Sequence, residues 1–262
     1  MSFYVNDVAL NSITFNNQDV NAVYYNGVHI WGQMIWDGLD NASWGDLQAL
    51  CKAKQSGAIT TWPSDIVLGA TKTVNLSTPV LGTSSFDVRI IGIDNDGDGV
   101  LTFMAVHPLI ESYNEATTSW NSSNAKKNCQ LIYQYGDING YTKLMSKPVY
   151  SISGNLNSYS ENVWLLSSRE IGLTNSYYDK ETDTSIKGES TSGLPYSYFT
   201  SDTKRKLTQV DGSICRYSLR SISTYNANTE ITQLAVVNTD GTGFRISVPA
   251  SGCMLVPAFN IG

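Results

Sequence analysis

The stretch FDVRIIGIDNDGDGVLTFMAV, Phe86–Val106, decides how the chain is read. Two apolar runs, FDVRIIGI and GVLTFMAV, flank a hexapeptide of Asp, Asn and Gly. β-Branched and aromatic residues favour strands, and Asp, Asn and Gly tolerate the left-handed backbone that tight turns require. The stretch therefore predicts two apolar strands joined by a hairpin turn. Asp94, Asp96 and Asp98 alternate as at the start of a calcium loop, but the twelfth position, where an EF-hand needs a bidentate Glu, is Ala105. A turn without a metal is the expectation.

Upstream, Ser43 stands as an N-cap with Asp46 three residues on, and Leu47, Leu50 and Cys51 share one face before Gly57, which predicts a helix over 44–55. IVLGATKTVNL between them reads as a strand. Downstream, SSNAKKNCQLIYQY carries Ala125, Cys129, Ile132 and Tyr133 at helical spacing, opened by Ser122 or Ser123. Beyond it KPVYSIS, NVWLLS, CRYSLRS, TQLAVVN, FRISV and CMLVPAFNI read as short strands joined by polar loops, some of them long. The fold class is α+β.

The first thirty residues differ in kind. Shifted by ten, Asn6 lies over Asn16 and Asn26, Asp7 over Asn17 and Gly27, and Leu10 over Val20 and Ile30. Each unit reads as one strand and one turn, with SITF, NAVYY and VHIW as strands. So short a segment lies below the roughly 40 residues at which a domain stabilises itself. Either it is a meander packed on its own domain or its apolar faces are buried against other copies in a symmetric assembly. The division expected is an N-terminal β-repeat over 1–38 and a larger domain over 39–262.

Composition limits the function. Lys and Arg number 17 against 23 Asp and Glu, a net charge of −6, without a basic run, which argues against a nucleic-acid groove or an anionic membrane as partner. MSFYVNDVAL has no positive n-region or apolar core, so synthesis and folding in a cytosol are expected. Cys51, Cys129, Cys215 and Cys253 are scattered without CxxC spacing and read as buried free thiols. Neither His29 nor His107 has a nucleophile motif nearby, and Glu111, Glu115, Glu161 and Glu170 offer carboxylate pairs as any chain of this size does. No phosphate-binding or HExxH motif is present, so neither enzymatic activity nor a cofactor is expected. Fifteen Tyr and six Trp among many Asn, Ser and Thr, with 15% charged residues, suit exposed recognition loops.

SWGDLQALCKA, VRIIGIDND with GVLTF, ENVWLLSSREIG, PYSYFTSDTKRKL, CRYSLRS, LAVVNTDG and VPAFNI follow one another in an order that resembles a C-type-lectin-like family of gut-bacterial and phage proteins. That family is related to formylglycine-generating enzymes and to variable proteins diversified by retroelements. The opening residues, ending in YNGVHIW, are similar to openings of phage tail and virion proteins, and the combination resembles phage tropism determinants with a small trimeric β-prism before a lectin-fold domain.

The resemblance implies a virion-located homotrimer made in the host cytoplasm, which binds a bacterial surface receptor, protein or glycan, and joins other virion proteins through its N-terminal repeat. A structural accessory such as a head fibre, decoration or baseplate protein is the alternative. The recognition face implied is about Tyr217 to Val248, with Tyr217, Arg220, Tyr225, Asn226, Asn228, Phe244 and Arg245 as candidates. Arg216 and Tyr217 stand where the family has two Trp, and Leu255-Val256-Pro257 where it has Val-Arg-Pro. The paired catalytic cysteines of the formylglycine enzymes and the EPN, QPD and WND motifs of lectin calcium sites have no counterpart, so neither activity is implied.

Overall fold

Ser43 opens the first helix through a reciprocal pair of bonds: its hydroxyl accepts from the Asp46 N–H at 3.1 Å, and the Asp46 carboxylate accepts from the Ser43 N–H at 2.8 Å. The computed structural model describes residues 3–5, 8–10, 13–15, 18–20, 22–25, 28–32, 36–80, 82–115, 120–150, 156–173, 195–226, 231–247 and 250–262. Side chains are described from Trp36 onward, except at 80, 110–115, 148–150, 156, 222–226, 231–234, 244–247 and 250–253.

Six short strands come first, paired two by two: β1 (Phe3–Val5) with β2 (Val8–Leu10), β3 (Ile13–Phe15) with β4 (Gln18–Val20), and β5 (Ala22–Tyr25) with β6 (Val28–Gly32). Each ten-residue unit thus holds two strands rather than the one expected. The polar QDV of β4 has no apolar alternation to announce it. The turn pairs 6–7, 16–17 and 26–27 lie outside the described residues.

Helix α1 (Trp44–Gln55) follows, then β7 (Thr71–Val80), β8 (Thr83–Ile93), β9 (Leu101–Ala105) and β10 (Ile110–Glu115). A 3-10 turn at Trp120–Ser122 leads into α2 (Asn124–Tyr135), capped by the Ser123 hydroxyl accepting from the Lys126 N–H at 3.0 Å. Next come β11 (Met145–Tyr150), β12 (Leu156–Glu161), β13 (Val163–Leu165), the single-turn α3 (Asp202–Arg205), β14 (Leu207–Thr208) and β15 (Ile214–Cys215). The chain ends with β16 (Tyr217–Asn226), β17 (Ile231–Val237), β18 (Gly243–Ser247), β19 (Ala250–Leu255) and β20 (Pro257–Ile261). Both helices stand where the sequence places them. β7 starts five residues later than IVLGATKTVNL suggests, because Gly69, at φ +91°, turns its N–H onto the Ile90 carbonyl before the ladder begins. The polar sequences of β10 and β12, IESYNE and LNSYSE, carry too few apolar residues for their period to show.

The hairpin of the opening stretch is real and central. The main sheet runs β13-β20-β9-β8-β7, every neighbour antiparallel, and all five residues of β9 and of β20 are buried. Strand alternation divides those two strands into two faces. On one, Phe103 and Phe259 pair across the ladder with stacked rings 5.5 Å apart, and Trp44 of α1 meets both edge-on at 5.4 and 5.5 Å. Aromatic contacts of this geometry each add about 0.5–1.5 kcal/mol beyond their burial. The other face carries Thr102 opposite Asn260, a polar pair at 0% exposure, and the site is built there. Beside the main sheet stand a three-stranded sheet, β16-β17-β18, and the pairs β10-β19, β11-β12 and β14-β15. Helices and antiparallel sheets share one core, which makes the described protein mixed α+β.

Candidate functional site

Asp96, the second acid of DNDGDG, turns inward while its neighbours do not. Its Oδ2 accepts from Thr102 Oγ1 at 3.0 Å, Asn260 Nδ2 at 3.0 Å and the Tyr196 hydroxyl at 2.7 Å. That hydroxyl accepts in turn from Lys147 Nζ at 3.3 Å, and the ammonium lies 3.7 Å from Asp96 Oδ1 and 3.1 Å from Glu170 Oε1. The Trp164 ring faces the same ammonium, 4.1 Å from its centroid. Glu170 Oε2 accepts from the Ser167 N–H at 2.9 Å and from Arg220 Nη1, which also donates to the Leu165 carbonyl at 2.8 Å.

Two carboxylates thus balance two cations beneath the sheet, with Lys147, Glu170 and Arg220 exposed by only 3, 1 and 3%. Buried charge is tolerated where it is paired and hydrogen-bonded. Burial works against ionising Glu170, but Arg220, Lys147 and the Ser167 N–H outweigh it and hold the carboxyl below its ordinary value. Asp96 is likewise held down, its burial outweighed by Lys147, Tyr196, Asn260 and Thr102. Burial, with Glu170 and Asp96 alongside, pushes the Tyr196 hydroxyl well up, so it stays protonated and donates. Every carboxylate oxygen of the pair faces a cation or a donor, an arrangement that binds chain segments to one another.

The joined segments are IDND, KPVY, SREIG, PYSYF, SLRS and AFNI. Backbone bonds tighten the same junction: Arg220 N–H to the Leu166 carbonyl at 3.0 Å, Tyr196 N–H to Glu170 at 2.8 Å and Tyr198 N–H to Ile91 at 3.2 Å. The cluster escapes sequence reasoning because its members lie 23, 50 and 100 residues apart. The available signal was a charged residue in or just beyond an apolar strand, as in Arg220 within YSLRS and Glu170 after VWLLSSR.

The structure separates the seven candidate recognition residues. Tyr217 and Arg220 belong to the core: Tyr217 is 2% exposed and donates its hydroxyl to the Arg205 carbonyl at 3.0 Å, and Arg220 holds Glu170. Their assignment to an exposed face is corrected accordingly. Tyr225 and Asn226 occupy the far end of β16, where Asn226 pairs with Ile231 of β17. Phe244 and Arg245 sit on β18 opposite Val236 and Ala235. The side chains of these four, and Asn228 altogether, lie outside the described residues.

The remaining acids and histidines are accounted for in part. Glu161, 4% exposed, accepts from Trp120 Nε1 at 3.1 Å and pairs with Lys126 at 2.9 Å. His107 Nδ1 lies 2.7 Å from the Thr208 carbonyl. The side chains of His29, Glu111, Glu115 and Cys253 lie outside the described residues, whereas Cys51, Cys129 and Cys215 are buried free thiols. Among the described residues no group of three potential metal ligands occurs, and no helix is long and apolar enough to cross a membrane.

Fold and site define a mixed α+β domain in which a neutralised charge cluster fastens a second sheet to the main one. Residues 115–262, more than half of the chain, match the model of a family described as a domain of unknown function, DUF6273, and the chain belongs to that family. Five members of the network, Lys147, Glu170, Tyr196, Arg220 and Asn260, fall inside the matched region. No curated protein and no solved structure matches the chain.

Proposed function

We propose that the protein is a receptor-binding protein of a phage virion, which attaches to a bacterial surface without chemistry. In this reading residues 39–262 are a C-type-lectin-like domain and residues 1–38 a β-prism-like repeat that trimerises the protein and joins it to other virion components. The observation that carries it is the anchoring of β16. Tyr217 to Ser221 are buried in succession at 2–3% exposure and tied to Glu170, while the strand continues to Asn226 and returns as β17. A recognition surface needs a rigid support, and a hairpin with a buried, charge-fastened root meets that need.

Attachment of labelled protein to intact bacteria, with immuno-electron microscopy of the virion, tests the proposal. Attachment to susceptible cells with label at the tail tip supports it. Label on the head or baseplate without attachment favours the accessory role instead. Trimerisation is read by light scattering on the full chain and on a truncation starting at Asp40; equal masses for the two would remove the role given to the repeat.

A further inference from the structure

A cleft of about 710 Å³ runs along the free edge of β7, at the opposite side of the main sheet from β13 and so away from the root of β16. Its wall is pinned in place. Lys72 Nζ donates to the Leu39 carbonyl at 3.0 Å and to the Ala42 carbonyl, and lies 5.4 Å from the centroid of the Trp44 ring. The loop before α1 is thereby fastened to the strand, and Lys72, the one ammonium among the described lining residues, is occupied in doing so.

The floor offers unused hydrogen-bonding capacity. Asn75 turns its backbone outward, N–H to Asp137 Oδ1 at 3.1 Å and carbonyl to the Asp137 N–H at 2.9 Å. Alternation along the ladder turns the backbone groups of Thr71 and Thr73 the same way, and these meet no partner among the described residues. The floor thus holds backbone donors and acceptors for which the described residues offer no partner.

Among the described lining residues three carboxylates, of Asp40, Asp87 and Asp137, stand against the tied Lys72, so an anionic ligand is repelled. Beside the carboxylates stand hydroxyl and amide donors: Thr73 Oγ1 donates to Asp87 Oδ1 at 2.7 Å, and Asn75 Nδ2 to Asp137 Oδ2 at 2.9 Å. Adjacent hydroxyls of a sugar ring donate and accept at once and match such pairs. Tyr141, half-buried beside Gly45 in the first turn of α1, offers an aromatic surface for the ring's C–H side. An extended peptide added to the strand edge fits less well, because the open edge between the pinned loop and the Asn75–Asp137 clamp is only Thr71 to Thr73.

We infer that this cleft is a binding site for a glycan without acidic groups. The inference rests on the adhesive reading for its biological setting and stands on the cleft for its chemistry. An array of neutral hexose and N-acetylhexosamine oligosaccharides beside sialylated and phosphorylated ones, followed by titration of the strongest hit, tests it on the full chain. Asp87→Asn removes a carboxylate and Thr71→Trp fills the floor, both at exposed positions. Retention of neutral glycans that weakens about tenfold or more in each variant, at unchanged melting temperature, supports the site. No retention, a preference for acidic glycans or for extended peptides, or retention indifferent to both substitutions overturns it. Cell attachment is measured alongside. Attachment kept in both cleft variants but lost when the β16 hairpin end is altered would also overturn the cleft, while leaving the adhesive function standing.

Discussion

Lys147 Nζ lies 3.1 Å from Glu170 Oε1, with the two side chains 4% and 2% exposed, and the Trp164 ring closes over the ammonium. Deleting one member of a buried pair leaves a charge that water cannot reach, at a cost of about 3–5 kcal/mol. Glu170→Gln should destabilise by that order, since it leaves one carboxylate of the cluster, Asp96, against two buried cations. Replacing Glu170 and Arg220 together by Leu and Met leaves Lys147 beside Asp96 and restores neutrality. The double variant should therefore lose less than the sum of the singles in chemical denaturation. Additive losses would mean that the four charges do not act as a unit.

The same carboxylates set the acid limb of stability. Glu170 and Asp96 are held below their ordinary values of 4.5 and 3.8. A depressed folded-state value means that the folded form binds protons less readily than the unfolded chain. The contribution is complete above the unfolded values, declines as pH falls from about 5, and is gone below the folded ones. Melting temperatures between pH 7 and 3 should fall more gently in Glu170→Gln and Asp96→Asn than in the parent. A residual slope will remain, because Asp211 and Asp240 are also held down, by the hydroxyls of Ser213 and Thr242, and are retained in both variants.

What the sequence discloses is what depends on neighbours in the chain. The Ser43–Asp46 box, the Ser123 cap and the Asp/Gly turn between two apolar strands each involve residues a few positions apart, and each is present. The charge cluster depends on six segments meeting on the far side of β9 and β20, and no local period encodes that meeting. Tyr217 and Arg220 show the consequence. Tyr and Arg are common at binding surfaces, but the same residues with satisfied polar ends serve a core equally well, and only the meeting of segments decides between the two.

Burial pushes the Cys51 thiol up to about 12 and the Cys215 thiol up to about 11, and raises Cys129 as well. At pH 8 no more than about one in a thousand of these groups is thiolate, the reactive form. Native protein should leave all three unmodified by a disulfide reagent over minutes, and denatured protein should react fully. Peptide mass mapping assigns the positions. Rapid native labelling of Cys51 or Cys129 would contradict the packing of α1 and α2.

The acids of DNDGDG point three ways. Asp94, at φ +59°, accepts from the Gly99 N–H at 2.7 Å and from Trp62 Nε1 at 3.0 Å; Asp96 enters the buried cluster; Asp98 lies 3.4 Å from Lys54. Gathering them about one cation would break the Asp96 bonds. Melting temperatures in excess calcium and in chelator should agree within about 1 °C, whereas a site filled at a hundred times its Kd would add about 2.7 kcal/mol.

Tyr217 and Tyr225 lie eight residues apart on β16, whose register against β17 shifts between Ser218 and Ile222 and again between Ser223 and Asn226. Burial keeps the Tyr217 hydroxyl protonated, well above its ordinary value, where it donates to the Arg205 carbonyl at 3.0 Å. Tyr217→Phe removes that donor and should cost about 1 kcal/mol. Tyr217→Ala opens a cavity as well and should cost about 3–5 kcal/mol, as for other large aromatic residues. If the end of the hairpin is the contact surface, Tyr225→Ala behaves in the opposite way: the melting temperature holds, and binding to cells weakens by about 1 kcal/mol or more. Thermal melts and cell-binding titrations of the three variants separate root from tip. A Tyr225→Ala protein that melts as early as Tyr217→Ala would place Tyr225 in the core and withdraw it from the proposed face. A folded alanine variant at Tyr225, Asn226 and Arg245 that still attaches at full strength would move receptor contact elsewhere on the protein.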